Sequence, residues 1–297
     1  MELKTDENAV KQEIMEAHFS KYHGLGNDYL VIDPNVYDVD LTPDVIHLIC
    51  HRNFGVGADG ILYGPLKGGE NPRVQIFNPD GSEAEKSGNG LRIFAKYLYE
   101  NKYVGEKHFS IETLGGLVEV HIEDDTGNRI KIEMGAITFR SAEIPVRGEQ
   151  REVVDEELEI IGGKYRVTCL SIGNPHCVIP MEDISEEKAR ELGPFVENHD
   201  LFPNRINMQL LKVLDRANIE IQIWERGAGY TLASGSSSCA AAGAARRLGL
   251  VETQVNVIMP GGMLFVEIGE HNEVHLTGEV KGIFEGYFHA DLEERIS

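Results

Sequence analysis

A long internal repeat constrains this chain more than any other feature. Val74-Gln75-Ile76-Phe77 in the first half corresponds to Ile221-Gln222-Ile223-Trp224 in the second. Ten residues beyond each aromatic stands a Ser-Gly pair, Ser87-Gly88 and Ser234-Gly235. Upstream, Leu25-Gly26-Asn27 matches Ile172-Gly173-Asn174. The asparagine-to-serine separation is 60 residues in both copies (87 − 27 and 234 − 174), and one offset of 147 superimposes the two sets. A single Gly-rich turn is a weak signal. Two at one spacing imply two equivalent halves that build one site, with Ser87 and Ser234 facing each other.

Periodicity and turn residues give each half alternating strands and helices. In the first half, strands are expected at Tyr29–Asp33, Arg73–Phe77, Phe109–Glu112, Leu117–Ile122 and Arg129–Met134. Thr42–Cys50 reads as a helix with Thr42 as its cap and Pro43 at its first position. A buried helix over Leu91–Tyr99 follows the Ser-Gly-Asn-Gly turn. In the second half, strands are expected at Tyr165–Ile172, Cys177–Pro180, Ile206–Asp215, Asn218–Glu225, Val255–Met259, Leu264–Ile268 and Glu273–Leu276. Ser185–Leu192 reads as a helix, and Ser238–Leu248 as an Ala-rich helix ended by Gly249. An Ala-rich helix with little polar surface must be buried nearly all round, inside a curled sheet. The expected fold is α/β (α+β), with two pseudo-symmetric domains, each a mixed or antiparallel sheet rolled around a central helix. The expected division is an extension over 1–17, a first domain over 18–133 plus the returning tail 278–297, and a second over 134–277.

Composition narrows the function. The net charge of −21 argues against nucleic acid, which requires a basic footprint, and against an anionic membrane surface. No apolar run approaches the ~18–20 residues of a membrane span. Residues 1–17 are charged and lack the apolar core of a signal peptide. The four cysteines, Cys50, Cys169, Cys177 and Cys239, have no CxxC spacing and read as free thiols of a cytoplasmic protein.

The repeat also suggests chemistry. The first amides of a helix lack intrahelical partners and carry partial positive charge, so they bind anions. Two helix starts facing one cavity could hold one carboxylate. If an amino acid supplies it, loss of the α-proton pushes charge onto the same oxygens, and pre-aimed amides stabilise that charge. A proton acceptor on one face and a donor on the other would invert the carbon. Against this stands the plainer reading that Ser87 and Ser234 are N-caps, a role serine favours. Asn27 and Asn174 read as ligand contacts or turn residues, and Asn78 equally so. Glu225-Arg226 breaks an apolar strand end where the first copy has Asn78-Pro79. It could meet an ammonium and a carboxylate or form a local ion pair. His176 and Cys177 lack companions at metal spacing, and Gly55–Gly60 is too short a turn for a dinucleotide site. No metal or cofactor is expected.

His23-Gly24-Leu25-Gly26-Asn27-Asp28, Phe77-Asn78-Pro79-Asp80-Gly81-Ser82, Ser87-Gly88-Asn89-Gly90-Leu91-Arg92, Gly173-Asn174-Pro175-His176-Cys177-Val178 and Glu225-Arg226-Gly227-Ala228-Gly229 together resemble the diaminopimelate epimerase family. The resemblance runs from about Phe19 to the C-terminus. It implies two similar domains with the site in the cleft between them, interconversion of L,L- and meso-diaminopimelate without pyridoxal phosphate or metal, a place in lysine and peptidoglycan synthesis, and a homodimer. By position, Asn27 and Asn174 would contact the reacting end of the substrate. Asn78, Asn207, Glu225 and Arg226 would recognise the distal amino-acid group. Amides around Gly88-Asn89 and Gly235-Ser236 would hold the reacting carboxylate, with His176 beside them.

One departure is chemical. The family's two bases are cysteines, and Ser87 and Ser234 occupy their positions here, while Cys239 fits a later, non-catalytic cysteine. A thiol starts near pKa ~8.5, and an aliphatic hydroxyl lies closer to water's ~15.7. Closing about five units of that gap needs roughly 7 kcal/mol; a helix terminus supplies at most ~2. Serine therefore needs an activating neighbour. Three readings follow: a Cys-to-Ser inactive variant, a divergent homologue that isomerises this or another amino acid, or a homologue that only binds one. Ser237, Ser238, Lys86 and Ile93 also depart from the family turns, which favours natural divergence. Retention of Asn78, Asn207, Glu225 and Arg226 favours a diaminopimelate-like substrate.

Overall fold

The computed structural model describes residues 18–296. The first half runs β1 (Phe19–Gly24), β2 (Asn27–Ile32), α1 (Pro43–Cys50), β3 (Ile61–Leu66), β4 (Arg73–Phe77), β5 (Glu83–Ala84), α2 (Gly88–Glu100), β6 (His108–Thr113), β7 (Gly116–Ile122) and β8 (Arg129–Ala136). The second runs β9 (Glu156–Ile160), β10 (Gly163–Ser171), β11 (Pro175–Pro180), α3 (Glu186–Glu197), β12 (Asn207–Asp215), β13 (Asn218–Glu225), β14 (Gly229–Thr231), α4 (Gly235–Arg247), β15 (Gln254–Met259), β16 (Gly262–Ile268) and β17 (Glu273–Glu279). The chain closes with β18 (Lys281–Gly286) and α5 (Ala290–Ile296).

The sequence repeat is a repeat of strand pairing. In the first half β1–β2, β3–β4, β4–β5, β6–β7 and β7–β8 pair antiparallel, and β2–β3 and β4–β6 parallel. The second half repeats each pairing with β10 to β17. Tertiary hydrogen bonds repeat as well: Gly115 donates to Glu85 O at 3.0 Å, and Gly261 donates to Leu232 O at 2.8 Å. The halves are finished differently. β18 returns to pair with β1, whereas β9 precedes and pairs with β10. An antiparallel β8–β17 pairing joins them.

Each sheet has a helix on either face, and strand alternation assigns the faces. On β2, Tyr29 and Val31 face the core around α2, while Leu30 and Ile32 face α1. On β11, Val178 faces α4, while Cys177 and Ile179 face α3. Both central helices share one apolar core with Leu276 of β17. Ala240, Ala241, Ala242, Ala244 and Ala245 of α4 are fully buried, so the expectation of a helix enclosed by a curled sheet is met. Small side chains let the sheet close: a Cβ added to Gly243 would lie 2.4 Å from Ile137 Cδ1.

The α/β architecture of two sheet-wrapped helices is as expected, with differences at element ends. α2 and α4 begin three residues before the apolar periodicity, because their first turns are polar or glycine and are held by capping instead. α3 continues past Leu192 through Pro194 to Glu197, where Val196 is still buried. β18 carries no alternation in its exposure, so no period-2 signal announces it. Among the described residues, no helix is long and apolar enough to cross a membrane.

Candidate active site

The two central helices meet at their N-termini. Ser87 and Ser234 have extended backbones (φ −136°, ψ 117° and φ −151°, ψ 129°) and cap α2 and α4. Ser87 Oγ accepts from Gly90 N at 3.1 Å, and Ser234 Oγ from Ser237 N at 3.4 Å. The capping role is therefore real and leaves each hydroxyl a proton and a lone pair. A Cβ added to Gly235 would lie 3.7 Å from Gly88 Cα and 3.0 Å from Leu276 Cδ2. The two first turns are thus within van der Waals reach, and Leu276 leaves little room for a side chain at Gly235. This approach brings two sets of unpaired helix amides to one place.

The surroundings of the two serines differ. Tyr29 OH lies 3.1 Å from Ser87 Oγ. Burial pushes the Tyr29 phenol up to about 12, with Ser87 opposing and the charges of Asp59 and Glu225 assisting. Ser234 Oγ lies 3.5 Å from Ser236 Oγ. Burial raises the Glu225 carboxyl above the usual range, and the Ser234 and Thr231 hydroxyls oppose that rise without cancelling it. The Glu225 carboxyl therefore lies on the Ser234 side, while the hydrogen-bond contacts of Ser234 Oγ are with Ser237 N and Ser236 Oγ.

On the first side, Asn27 Nδ2 donates to Asp59 at 2.9 Å, and Asn89 Nδ2 donates to Asn27 Oδ1 at 3.0 Å. On the second, Asn174 Nδ2 donates to Ser236 Oγ at 3.4 Å, and its Oδ1 lies 3.0 Å from His176 Nε2. Because the Asn174 nitrogen is the donor, its oxygen must accept, which puts the imidazole proton on Nε2. Burial lowers the His176 pKa to about 3, opposed by Gln209 and assisted by Arg226, so the ring is neutral at neutral pH. Asn207 is occupied by backbone, accepting from Arg226 N at 2.9 Å and donating to Pro175 O at 2.8 Å. Asn78 holds its own turn through Ser82 Oγ at 3.0 Å. The Arg226 guanidinium donates to Asn204 O at 3.0 Å.

Ser87, Gly88, Asn89 and Asn27 therefore share one side, and Ser234, Ser236, Asn174 and His176 the other. Asn78 and Glu225-Arg226 mark the ends of the equivalent strands β4 and β13. Cys239 is fully buried, and burial pushes its thiol up to about 12; all four cysteines are free and buried. Sequence reasoning missed Tyr29, Arg92 and Asp59. For Tyr29 a signal existed, since the offset of 147 that pairs Asn27 with Asn174 pairs Tyr29 with His176. Among the described residues, no group of three or more His, Cys, Asp or Glu is placed to hold a metal ion.

The family model of diaminopimelate epimerase matches residues 19–140 and 168–283. The chain belongs to the diaminopimelate epimerase family. Diaminopimelate epimerase 2 of a Nostoc species is 52% identical over 275 residues, covering 92% of this chain and 96% of the relative. Diaminopimelate epimerase of Caldanaerobacter subterraneus subsp. tengcongensis is 41% identical over 270 residues, covering 90% and 98%. Among solved structures, a probable proline racemase from Agrobacterium radiobacter superposes with a TM-score of 0.66 at 13% identity, over 93% of this chain and 94% of that one. A hydroxyproline epimerase from Agrobacterium vitis superposes with a TM-score of 0.65 at 13% identity, over 90% of each. These two share the fold of the diaminopimelate epimerase family. The gap in the family match, between 140 and 168, contains β9, the strand that finishes the second sheet differently from the first.

Proposed function

We propose that this chain interconverts L,L- and meso-diaminopimelate by cofactor-independent α-proton transfer, on the route to lysine. The observation that carries the reading is the abutment of two serine-capped helix N-termini, backed by relatives named for that reaction. In this reading residues 18–133 with 278–297 form one half of the enzyme and 134–277 the other, as the β18–β1 pairing supports. The reacting carboxylate sits between the amides of Gly88-Asn89 and Gly235-Ser236. Asn27 and Asn174 flank it, and Asn78, Asn207 and Arg226 lie toward the distal amino-acid group.

The unlike neighbours supply what serine lacks. On one face the Glu225 carboxylate takes the Ser234 proton as Ser234 takes the α-proton. The electron pair left on carbon spreads onto the carboxylate, where the helix amides meet it. On the other face Ser87 gives its proton to the carbon and is reprotonated by Tyr29, which its raised pKa keeps protonated at neutral pH. The reverse reaction starts from the form this leaves, with Glu225 protonated and Tyr29 ionised. Tyr29 takes the Ser87 proton as Ser87 takes the α-proton, Glu225 reprotonates Ser234 as Ser234 protonates the carbon, and exchange with water interconverts the two forms. This assigns Glu225 to proton transfer rather than to distal recognition.

Diaminopimelate incubated with the protein in D2O tests the reading. The expected result is α-deuterium incorporation with inversion, faster by ~10²–10⁴-fold when Ser87→Cys and Ser234→Cys are combined. A double-cysteine variant that is inert on diaminopimelate but binds another amino acid would overturn the substrate assignment.

A further inference from the structure

Arg92, in the first turn and a half of α2, is fully buried. Among the described residues it forms no ion pair with a carboxylate, and burial lowers its pKa to about 10. A buried guanidinium without a counter-ion is unfavourable unless hydrogen bonds compensate it. Two offset it in part, while its Nε is left without a partner. Its Nη1 donates to Gly88 O at 3.1 Å and its Nη2 to Asn89 Oδ1 at 2.6 Å. The fold reserves space for it: a Cβ added to Gly278 of β17 would lie 3.1 Å from its Cζ and Nε.

The second of these bonds begins a directed chain. Arginine can only donate, so the Asn89 atom facing it is the oxygen. The Asn89 nitrogen then donates to Asn27 Oδ1 at 3.0 Å, and the Asn27 nitrogen donates to Asp59 Oδ2 at 2.9 Å. An ionised carboxylate can only accept, so the far end enforces the same direction. Asp59 is held by Arg52, whose Nη2 donates to its Oδ1 at 2.7 Å. Both carboxamides are thus fixed against the 180° flip that would exchange oxygen and nitrogen.

We propose that Arg92 is a positioning residue. Together with Asp59 it locks the Asn89 and Asn27 amides so that each keeps a second N–H for the substrate carboxylate. This rests on the proposed reading of Asn27 and Asn89 as carboxylate ligands. A flipped amide would turn its oxygen on an anion, so the lock governs affinity for the carboxylate more than the chemical step.

The lock has two ends, and either suffices to set the direction. Asp59→Asn alone loosens the far end but leaves Arg92 in command, raising KM for diaminopimelate about threefold. Arg92→Gln alone removes a buried charge but leaves Asp59 in command, raising KM about tenfold. The double variant frees both amides and should raise KM about a further tenfold beyond the product of the singles, with kcat changed less. A direct ion-pair role predicts the opposite sign, a double effect smaller than the product, and a purely structural role predicts the product itself. Either result overturns the proposal. A second measurement needs no turnover: water exchange of the Asn27 and Asn89 side-chain amide protons, assigned by their loss in Asn27→Asp and Asn89→Asp. Protection of the one hydrogen-bonded proton of each amide is expected in the native protein and both singles, and its loss only in the double variant. Unprotected amides in the native protein would sink the lock. Protected amides in a protein that does not exchange the diaminopimelate α-proton would instead sink the proposed function.

Discussion

The starts of α2 and α4 present one backbone in two chemical settings. Both begin at a capping serine of extended backbone, and both lead into a helix enclosed by a sheet of the same topology. Their supports then diverge. The α2 start rests on Tyr29 and on a polar chain through Asn89 to the buried Arg92. The α4 start rests on Glu225, Ser236 and Asn174, and its helix interior is alanine and serine. Duplication kept what an anion needs, since helix amides depend on backbone alone. Side chains, which set proton affinity, were free to differ. In the proposed reaction, two equivalent cradles serve one symmetric carboxylate while one face accepts a proton and the other donates it.

The comparison breaks first at the serines. Ser87→Ala and Ser234→Ala should each reduce epimerisation by ~10²–10⁴-fold, yet each should retain α-deuterium exchange on only one of the two stereoisomers, and on opposite ones. Identical exchange patterns in chiral chromatography with mass detection would mean that the faces are not distinct.

The supports come next. Tyr29→Phe and Glu225→Gln should each slow turnover by about tenfold or more, with different pH profiles. Glu225 works as a carboxylate, so its raised pKa predicts that kcat/KM falls as pH drops through that value. Glu225→Gln should abolish this acid limb, while Tyr29→Phe should keep it.

The equivalent positions Tyr29 and His176 should also mark opposite ends of the stability profile. The folded pKa of His176, about 3, lies below its ordinary ~6.5, so the unfolded chain binds the proton first. Stability should fall as pH drops from ~6.5 toward 3, by up to ~1.4 kcal/mol per unit. The folded pKa of Tyr29, about 12, lies above its ordinary ~10, so stability should fall as pH rises from ~10 toward 12. Urea titrations of His176→Gln and Tyr29→Phe should remove the acid and the alkaline slope respectively. Slopes that persist in these variants would assign them to other groups.

The smallest effect concerns packing. Gly243→Ala forces a methyl against Ile137 and should cost about 1–3 kcal/mol, even though alanine is the better helix former. Gly88→Ala meets the flexible Met134 side chain, with Sδ at 3.3 Å, and should cost less. Thermal melts showing the reverse order would place the tighter helix on the other side.

Much of this was legible in the chain. The offset of 147 marks both halves, both helix starts and both asparagines, because a duplicated fold keeps its turn and capping residues at constant spacing. Composition made the Ala-rich helix a buried one. Local signals failed where tertiary contact decides: β18 is exposed and unpatterned, and α3 passes through a proline because Val196 beyond it is buried.

The sequence by itself determined the family and the two-fold design, and it supplied the candidate site residues. Each rests on residues whose spacing or backbone role is local: serines at caps, glycines at close approaches, asparagines in turns. Only the tertiary structure decided which side chain stands behind each serine. Tyr29 and Ser87 are 58 residues apart, and Asn27 and Asn89 are 62 apart. No local pattern encodes such contacts; sheet register and the close approach of two helices create them. The direction of the Arg92–Asp59 chain was equally invisible, because hydrogen-bond polarity is a property of the assembled network rather than of any segment in it.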